Sequence, residues 1–155
     1  MADLQPLKAE HLEAVQQLDE RCFPGDPFAA GWWYRAVAME GACGWVLRRE
    51  GQLLAYCLFS TVLDEAELLR IAVDPGQRGR GLGKSLLLQV QPKLVQRGLA
   101  HLFLEVRASN RVAQRLYQRC GWHPCGQRKN YYPLDTGHED ALLFSWQPES
   151  GSETE

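Results

Sequence analysis

A chain of 155 residues, 45% hydrophobic and 23% charged, has enough apolar surface for one globular core and too little length for two ordinary domains. Its net charge of −2 gives no overall basic field to recruit nucleic acid. No apolar run approaches the roughly 20 residues a membrane helix needs, and the first six residues are neither cationic nor followed by an apolar stretch, so neither a membrane span nor a secretory leader is expected. Residues 4–7 read as a first strand, and 10–21 as a helix with Leu12, Val15 and Leu18 on one face. Asp26-Pro27 joins a helix cap to a proline at the first helical position and predicts a second helix over 28–39, carrying Trp32, Trp33 and Tyr34. Strands over 44–49 and 53–62 flank the tight-turn pair Glu50-Gly51, and a further strand covers 65–73. Leu82, Leu86, Val90 and Leu94 share a face and predict one helix over 82–97, kinked at Pro92 and ended by Gly98. A strand over 102–106 follows. Asn110 caps a helix over 111–120, with Gly121 at its far end. Strands over 122–128 and 141–146 complete the pattern, and the polar, acidic residues 148–155 are expected to be disordered. With no repeat and no linker, 1–147 forms one domain. The order βααβββαβαββ predicts an α/β fold with a mixed, mostly antiparallel sheet flanked by helices on both faces.

Five cysteines (Cys22, Cys43, Cys57, Cys120 and Cys125) are odd in number and lack framework spacing, which points to the reducing cytoplasm. Cys120, His123 and Cys125 lie close in sequence, but no fourth ligand stands at zinc-site spacing, and no metal is expected.

The chemistry begins at Arg78-Gly79-Arg80-Gly81-Leu82-Gly83-Lys84, between the apolar strand 68–73 and the helix that starts at 82. A glycine-rich loop opening a helix is an anion site: unpaired amides point outward, and the helix dipole adds positive potential. A Walker A loop would need glycine at 78, which is Arg78, and a dinucleotide fingerprint would need its third glycine at Lys84. What remains is Arg-x-x-Gly-x-Gly, formed by Arg78, Gly81 and Gly83.

That spacing resembles the acetyl-CoA pyrophosphate loop of the GNAT superfamily of N-acetyltransferases, and the element order matches the GNAT fold. Leu104-Glu105-Val106-Arg107-Ala108-Ser109-Asn110, then Ala113, Leu116-Tyr117 and Gly121-Trp122, resembles the second half of that family's cofactor site. Arg128-Lys129-Asn130-Tyr131-Tyr132-Pro133, Glu139-Asp140-Ala141, Leu63-Asp64-Glu65-Ala66 and Ile71-Ala72-Val73-Asp74-Pro75 are similar to the bacterial RimI subgroup, whose members acetylate the N-terminal alanine of small-subunit ribosomal protein eighteen. The likeness spans 50–146 and is weak over the first 45 residues, where Asp26-Pro27-Phe28-Ala29 stands in place of the subgroup's proline-tryptophan and hydroxyl helix cap.

Acyl transfer from a thioester needs a neutral amine, a stabilised oxyanion and a proton for the departing thiolate. Neutralising an α-amine at pH 7 costs roughly 1 kcal/mol against roughly 4.6 kcal/mol for lysine, so an N-terminal acceptor asks less of its base. Glu105, a charge in the otherwise apolar strand 102–106, is the candidate base; the plain alternative is a strand-end glutamate paired with Arg107 or facing solvent. Tyr117 lies seven residues, about two turns, beyond Asn110 on the same helix face, and a phenol keeps its proton at neutral pH; the plain alternative is a core tyrosine beside Leu116. Asn110 by itself reads as a helix cap. The resemblance implies that Glu105 accepts a proton, that Tyr117 donates one, and that Asn110 bonds the pantetheine arm. It also implies that the main chain of Ile71, Ala72 and Val73 pairs with that arm, and that Arg78, Gly79, Arg80, Gly81, Leu82, Gly83 and Lys84 surround the pyrophosphate. On the acceptor side, adjacent strand residues face opposite ways, so at most one of Tyr131 and Tyr132 lines the site, and Tyr131 is favoured. Asp64 and Glu65 read either as attracting a cationic N-terminus or as a solvated charge pair at a hairpin end.

The resemblance thus implies acetyl-CoA as cosubstrate, no metal, a protein N-terminus (that of a ribosomal protein) as acceptor, and a monomeric enzyme. A GNAT enzyme for lysine side chains or small amines, and a catalytically silent acyl-CoA-binding regulator, stay open at this stage.

Overall fold

Strand β3, Gln52–Val62, is buried over seven consecutive residues, 53–59, so its sheet needs cover on both faces. The structure, a computed structural model, describes residues 2–25, 30–38, 41–134 and 137–149. Helices α1 (Leu12–Cys22) and α2 (Ala30–Ala38) supply one cover: Leu12, Val15, Leu18 and Trp33 cluster with Val46, Tyr56 and Leu58. Helix α3 (Leu82–Gln96) supplies the other, packing Leu86, Leu87, Val90 and Leu94 with Trp45, Leu47, Cys57 and Phe59. Successive residues Trp45, Val46 and Leu47, and 56–59 of β3, alternate between the two cores, as a period of two requires. Helix α4 (Arg111–Arg119) joins the second core through Tyr117.

The remaining strands are β1 (Asp3–Pro6), β2 (Ala42–Arg49), β4 (Glu65–Val73), β5 (His101–Arg107), β6 (His123–Leu134) and β7 (Gly137–Trp146), in the sheet order β1-β2-β3-β4-β5-β7-β6. Every neighbouring pair is antiparallel except β4 with β5, which run parallel around the α3 crossover. That pair bonds only from Glu65–Glu67 to His101–Phe103. Just beyond, the β3 register skips Leu69, pairing Phe59 with Leu68 and Leu58 with Arg70. Leu69 is therefore a bulge, which turns the rest of β4 away from β5. Past Glu67, β4 keeps β3 on one edge, and among the described residues no strand pairs with the other.

The element order is the expected one. The first helix begins with a 3-10 turn at Ala9–His11, and α3 runs across Pro92 as one helix. The Asp26-Pro27 helix start and residues 150–155 of the acidic tail lie outside the described residues. The largest departure is the β6 and β7 pair, much longer than the strands expected at 122–128 and 141–146. Its extra length is polar and exposed on an edge strand, so no hydrophobic pattern marks it. Main-chain pairing with β7 makes it a strand, with irregularities at Cys125 and between Arg128 and Tyr132. Asp140 holds the second irregularity, accepting from the Asn130 amide at 2.9 Å and from Gln127 Nε2 at 2.8 Å.

Gln91 is a buried polar residue of α3. Its Oε1 accepts from Trp122 Nε1 at 2.8 Å, and its Nε2 donates to the Cys120 carbonyl at 3.1 Å. Replacing Gln91 by Leu strands both partners in the core. The expected loss is about 2 kcal/mol, read as a lower urea midpoint at unchanged slope.

Candidate active site

Where β4 and β5 part, a cleft of about 840 Å³ opens between them. Its floor is the free edge of β4 at Ile71, Ala72 and Val73. Backbone groups on such an edge call for a partner.

At one end stands the glycine loop. The Asp74 carboxylate accepts from the Gly76 amide at 3.0 Å, closing a turn over Pro75–Gln77 that leads the chain up to α3. Gly81 caps α3 at φ 76° with no side-chain cap, so the amides of Leu82, Gly83 and Lys84 open the helix toward the cleft. Nothing lies within 4 Å of where a Cβ on Gly81 would stand; glycine is needed there for its positive φ. At Gly83 a Cβ would meet Leu116 Cδ2 at 3.3 Å, so that glycine lets α3 and α4 close on each other. Arg78 Nε donates to the Val73 carbonyl at 3.3 Å, Arg80 Nη1 donates to Gln77 Oε1 at 3.2 Å, and the exposed Lys84 lines the cleft. Uncapped amides and three cations at a helix start form a donor set for a diphosphate.

At the other end, Glu105 and Tyr117 enter from opposite faces of the sheet. Glu105 pairs in register with Leu143 of β7, and its carboxylate receives Arg128 Nη2 at 3.1 Å. It lines both the large cleft and a second one of about 400 Å³. Tyr117 is 7% exposed and packs between Trp122 and Phe144, with ring centroids at 6.0 and 6.3 Å. Burial pushes its phenol well above the ordinary range, so it is fully protonated at neutral pH. Its hydroxyl makes no hydrogen bond to the described residues. Asn110 caps α4, its Oδ1 accepting from the Ala113 amide at 3.1 Å, and it too lines the large cleft.

The acceptor-side expectations fare differently. Tyr132, not Tyr131, turns into the cleft; Tyr131 is 46% exposed, with its ring against Arg128. The register explains this. Glu139, Ala141 and Leu143 of β7 share one face and pair with Tyr132, Arg107 and Glu105 respectively. Arg107 stacks on Tyr132 at 4.2 Å, and burial followed by the charge of Glu105 raises the Tyr132 phenol. Asp64 lies away from the cleft at the β3–β4 turn: its carbonyl accepts from the Ala100 amide at 3.1 Å, and its carboxylate is 3.7 Å from His101 Nε2. Glu65 lines the smaller cleft. Glu67 and Arg128 of that cleft were not singled out as site residues by residue pattern, and Tyr132 was only the less favoured of its pair. In the sequence Glu67 is one more polar position in an alternating strand, and only the sheet order sets it beside β5. Among the described residues, no three His, Cys, Asp or Glu side chains are grouped to hold a metal ion, and no helix is long and apolar enough to cross a membrane.

Residues 12–122 match the Acetyltransferase (GNAT) family. The chain belongs to that family and is an N-acetyltransferase that draws its acyl group from acetyl-CoA. It is similar to the [ribosomal protein bS18]-alanine N-acetyltransferase of Escherichia coli K12, with 44% identity over 99 residues, 64% of this chain and 67% of that protein. It is also similar to a Bacillus subtilis protein named as putative [ribosomal protein bS18]-alanine N-acetyltransferase, with 32% identity over 143 residues, 92% of this chain and 93% of the other. The crystal structure of the Escherichia coli ribosomal-protein-S18-alanine N-acetyltransferase matches with a TM-score of 0.87 at 34% identity, covering 100% of this chain and 99% of that one. Arabidopsis thaliana NAA60 in complex with acetyl-CoA shares the fold at 20% identity and a TM-score of 0.82, over 95% of this chain and 98% of its own.

The end of β5 is tied to β7 by Glu139, which accepts from the Ser109 amide at 2.6 Å and from Arg107 Nη1 at 3.4 Å. Hydrogen bonds from Ser109, and then Arg107, hold its carboxyl below the usual range. A lowered folded value contributes stability above the unfolded value, and that contribution is lost as pH falls through the folded one. Glu139→Gln is therefore expected to lower the urea midpoint at pH 7, with the difference from wild type closing as the pH is taken below the carboxylate range.

Proposed function

We propose that the chain is a single-domain cytoplasmic enzyme, acting through residues 1–147 of one monomer, which acetylates the N-terminal alanine of ribosomal protein bS18. The observation that carries the reading is the convergence of Glu105 and Tyr117 on one cleft, with the glycine loop at its far end. The curated relatives named above support the acceptor. The relatives' acceptor is a ribosomal protein, which supports a cytoplasmic place of action.

In this reading the amides at the start of α3, with Arg78, Arg80 and Lys84, hold the pyrophosphate of coenzyme A. The free edge of Ile71–Val73 takes the pantetheine arm as an added strand, and the Asn110 side chain bonds it from α4. When bound, acetyl-CoA supplies an activated thioester carbonyl. Glu105 takes a proton from the acceptor ammonium, so that nitrogen can attack. As the C–N bond forms and the C–S bond breaks, Tyr117 gives its proton to the leaving sulfur; the second proton shed by the nitrogen restores the phenol, and Glu105 releases the first to solvent. The half-buried Glu105 and the buried phenol keep bulk water from competing at the carbonyl.

The decisive assay offers acetyl-CoA with a peptide carrying the bS18 N-terminal sequence, beside lysine peptides and polyamines, and reads products by mass spectrometry. Acetylation confined to the α-amine of the bS18 peptide is expected; acetylation of polyamines alone would overturn the acceptor assignment. Glu105→Gln and Tyr117→Phe should each lower kcat by a factor on the order of 10²–10⁴, with acetyl-CoA binding retained by calorimetry. Lys84→Ala should instead weaken acetyl-CoA binding, and the loss should shrink at high salt.

A further inference from the structure

Glu105 shares its cleft with a second carboxylate. Glu67 is the last β4 residue of the parallel ladder, opposite Phe103, and Phe103 and Glu105 share a strand face. Glu67 and Glu105 both line the 400 Å³ cleft. Burial raises the Glu67 carboxyl and the charge of Glu105 raises it further, while Arg128 draws it back. Among the described residues, the walls of this cleft hold three carboxylates, Glu65, Glu67 and Glu105, against one guanidinium, Arg128. Cys125 of β6 is the other titratable group on its walls; Tyr132 of β6, Tyr117 of α4 and Arg107 of β5, which Glu139 of β7 already holds at 3.4 Å, line the neighbouring large cleft that Glu105 also lines. The cleft is therefore short of positive charge, and an acceptor N-terminus brings a positive charge with it.

Arg128 also stands where that charge must go. Its Nη2 lies 3.1 Å from Glu105 Oε1, and the Tyr131 ring backs the guanidinium at 5.1 Å. The side chain is 54% exposed, on an edge strand, so it has room to move. An ammonium that is to hand its proton to Glu105 competes with Arg128 for the same carboxylate.

We propose that Arg128 is a positioning residue for Glu105 and that Glu67 is its alternative partner. In the free enzyme the guanidinium aims the Glu105 carboxylate at the junction of the two clefts. When a cationic N-terminus arrives, its ammonium takes Arg128's place, and Arg128 passes to Glu67. Two carboxylates then face two cations, and the pair that repels in the free enzyme is neutralised. Acceptors are selected as cations at the cleft and deprotonated only at Glu105. The inference rests on Glu105 as the base.

The test combines Arg128→Met, Arg128→Lys, Glu67→Gln, Glu105→Gln and the Arg128→Met/Glu67→Gln double variant. In the free enzyme, carboxyl carbon NMR should show Glu67 titrating at higher pH in Arg128→Met and at lower pH in Glu105→Gln than in the wild type. With the peptide acceptor, Glu67→Gln should raise KM about tenfold and leave kcat within about threefold, and this effect should vanish in the Arg128→Met background, since coupled residues are not additive. Arg128→Met should lower kcat about tenfold, and Arg128→Lys should restore most of it. Glu67 and Arg128 effects that simply multiply, or a Glu67 titration indifferent to Arg128, would overturn the inference while leaving Glu105 as base. Full turnover in Glu105→Gln would remove the base and this inference with it.

Discussion

The parting of β4 from β5 is the constraint on which the rest of the molecule depends. Two parallel neighbours need a crossover, and α3 provides it; the ladder they form ends after Glu67 and Phe103, and the Leu69 bulge swings β4 away. A gap in the middle of a sheet is costly, because it strips main-chain groups of partners in a region that water reaches poorly. The same gap is what a ligand with an extended amide-bearing arm can fill. The start of α3 lies at its mouth because the crossover begins there, so backbone geometry and positive potential arrive at one place.

Charge is divided along the cleft. The helix start gathers uncapped amides, Arg78 and Lys84 at one end of the large cleft, while Glu105 stands at the other and Glu67 and Glu65 line the smaller cleft beside it. An anion and a cation entering from opposite ends each meet the complementary field, although the chain as a whole is close to neutral. The two ends are also built differently. The helix start is set by packed helices, with Gly83 against Leu116. The Glu105 end rests on an edge strand held by Asp140, beside the Arg107–Glu139 pair.

A second tie supports the acceptor side from the opposite core. Asp19 of α1 is fully buried, accepts from the Tyr56 hydroxyl and pairs with Arg70 at 2.9 Å, while Phe23 stacks on the same guanidinium at 4.1 Å. Arg70 lies one residue past the bulge. The network therefore fixes α1 to the point where β4 turns, and removing one member of such a buried pair is far more damaging than its net contribution suggests.

Much of the fold was legible in the chain because local signals agreed with the final packing. The run 53–59, the leucine face of α3, the Asn110 cap and the positive-φ glycines each read correctly from spacing alone. The β6 and β7 pair read short, since a polar edge strand stabilised by main-chain bonds and an Asp140 clamp carries no hydrophobic period. The position of the glycine loop, and the presence of a glutamate in an apolar strand, were properties of the sequence. Which side chains meet was not. Whether Tyr131 or Tyr132 faces Glu105 depends on the register of β6 against β7, and Glu67 becomes a neighbour of Glu105 only because β4 and β5, whose partners Glu67 and Phe103 are 36 residues apart, lie side by side. Periodicity is a one-dimensional property that local sterics impose, so the sequence by itself determined the elements and the phosphate loop. Pairing across strands is a choice among many registers, decided by the burial of whole faces at once, and only the tertiary structure made it.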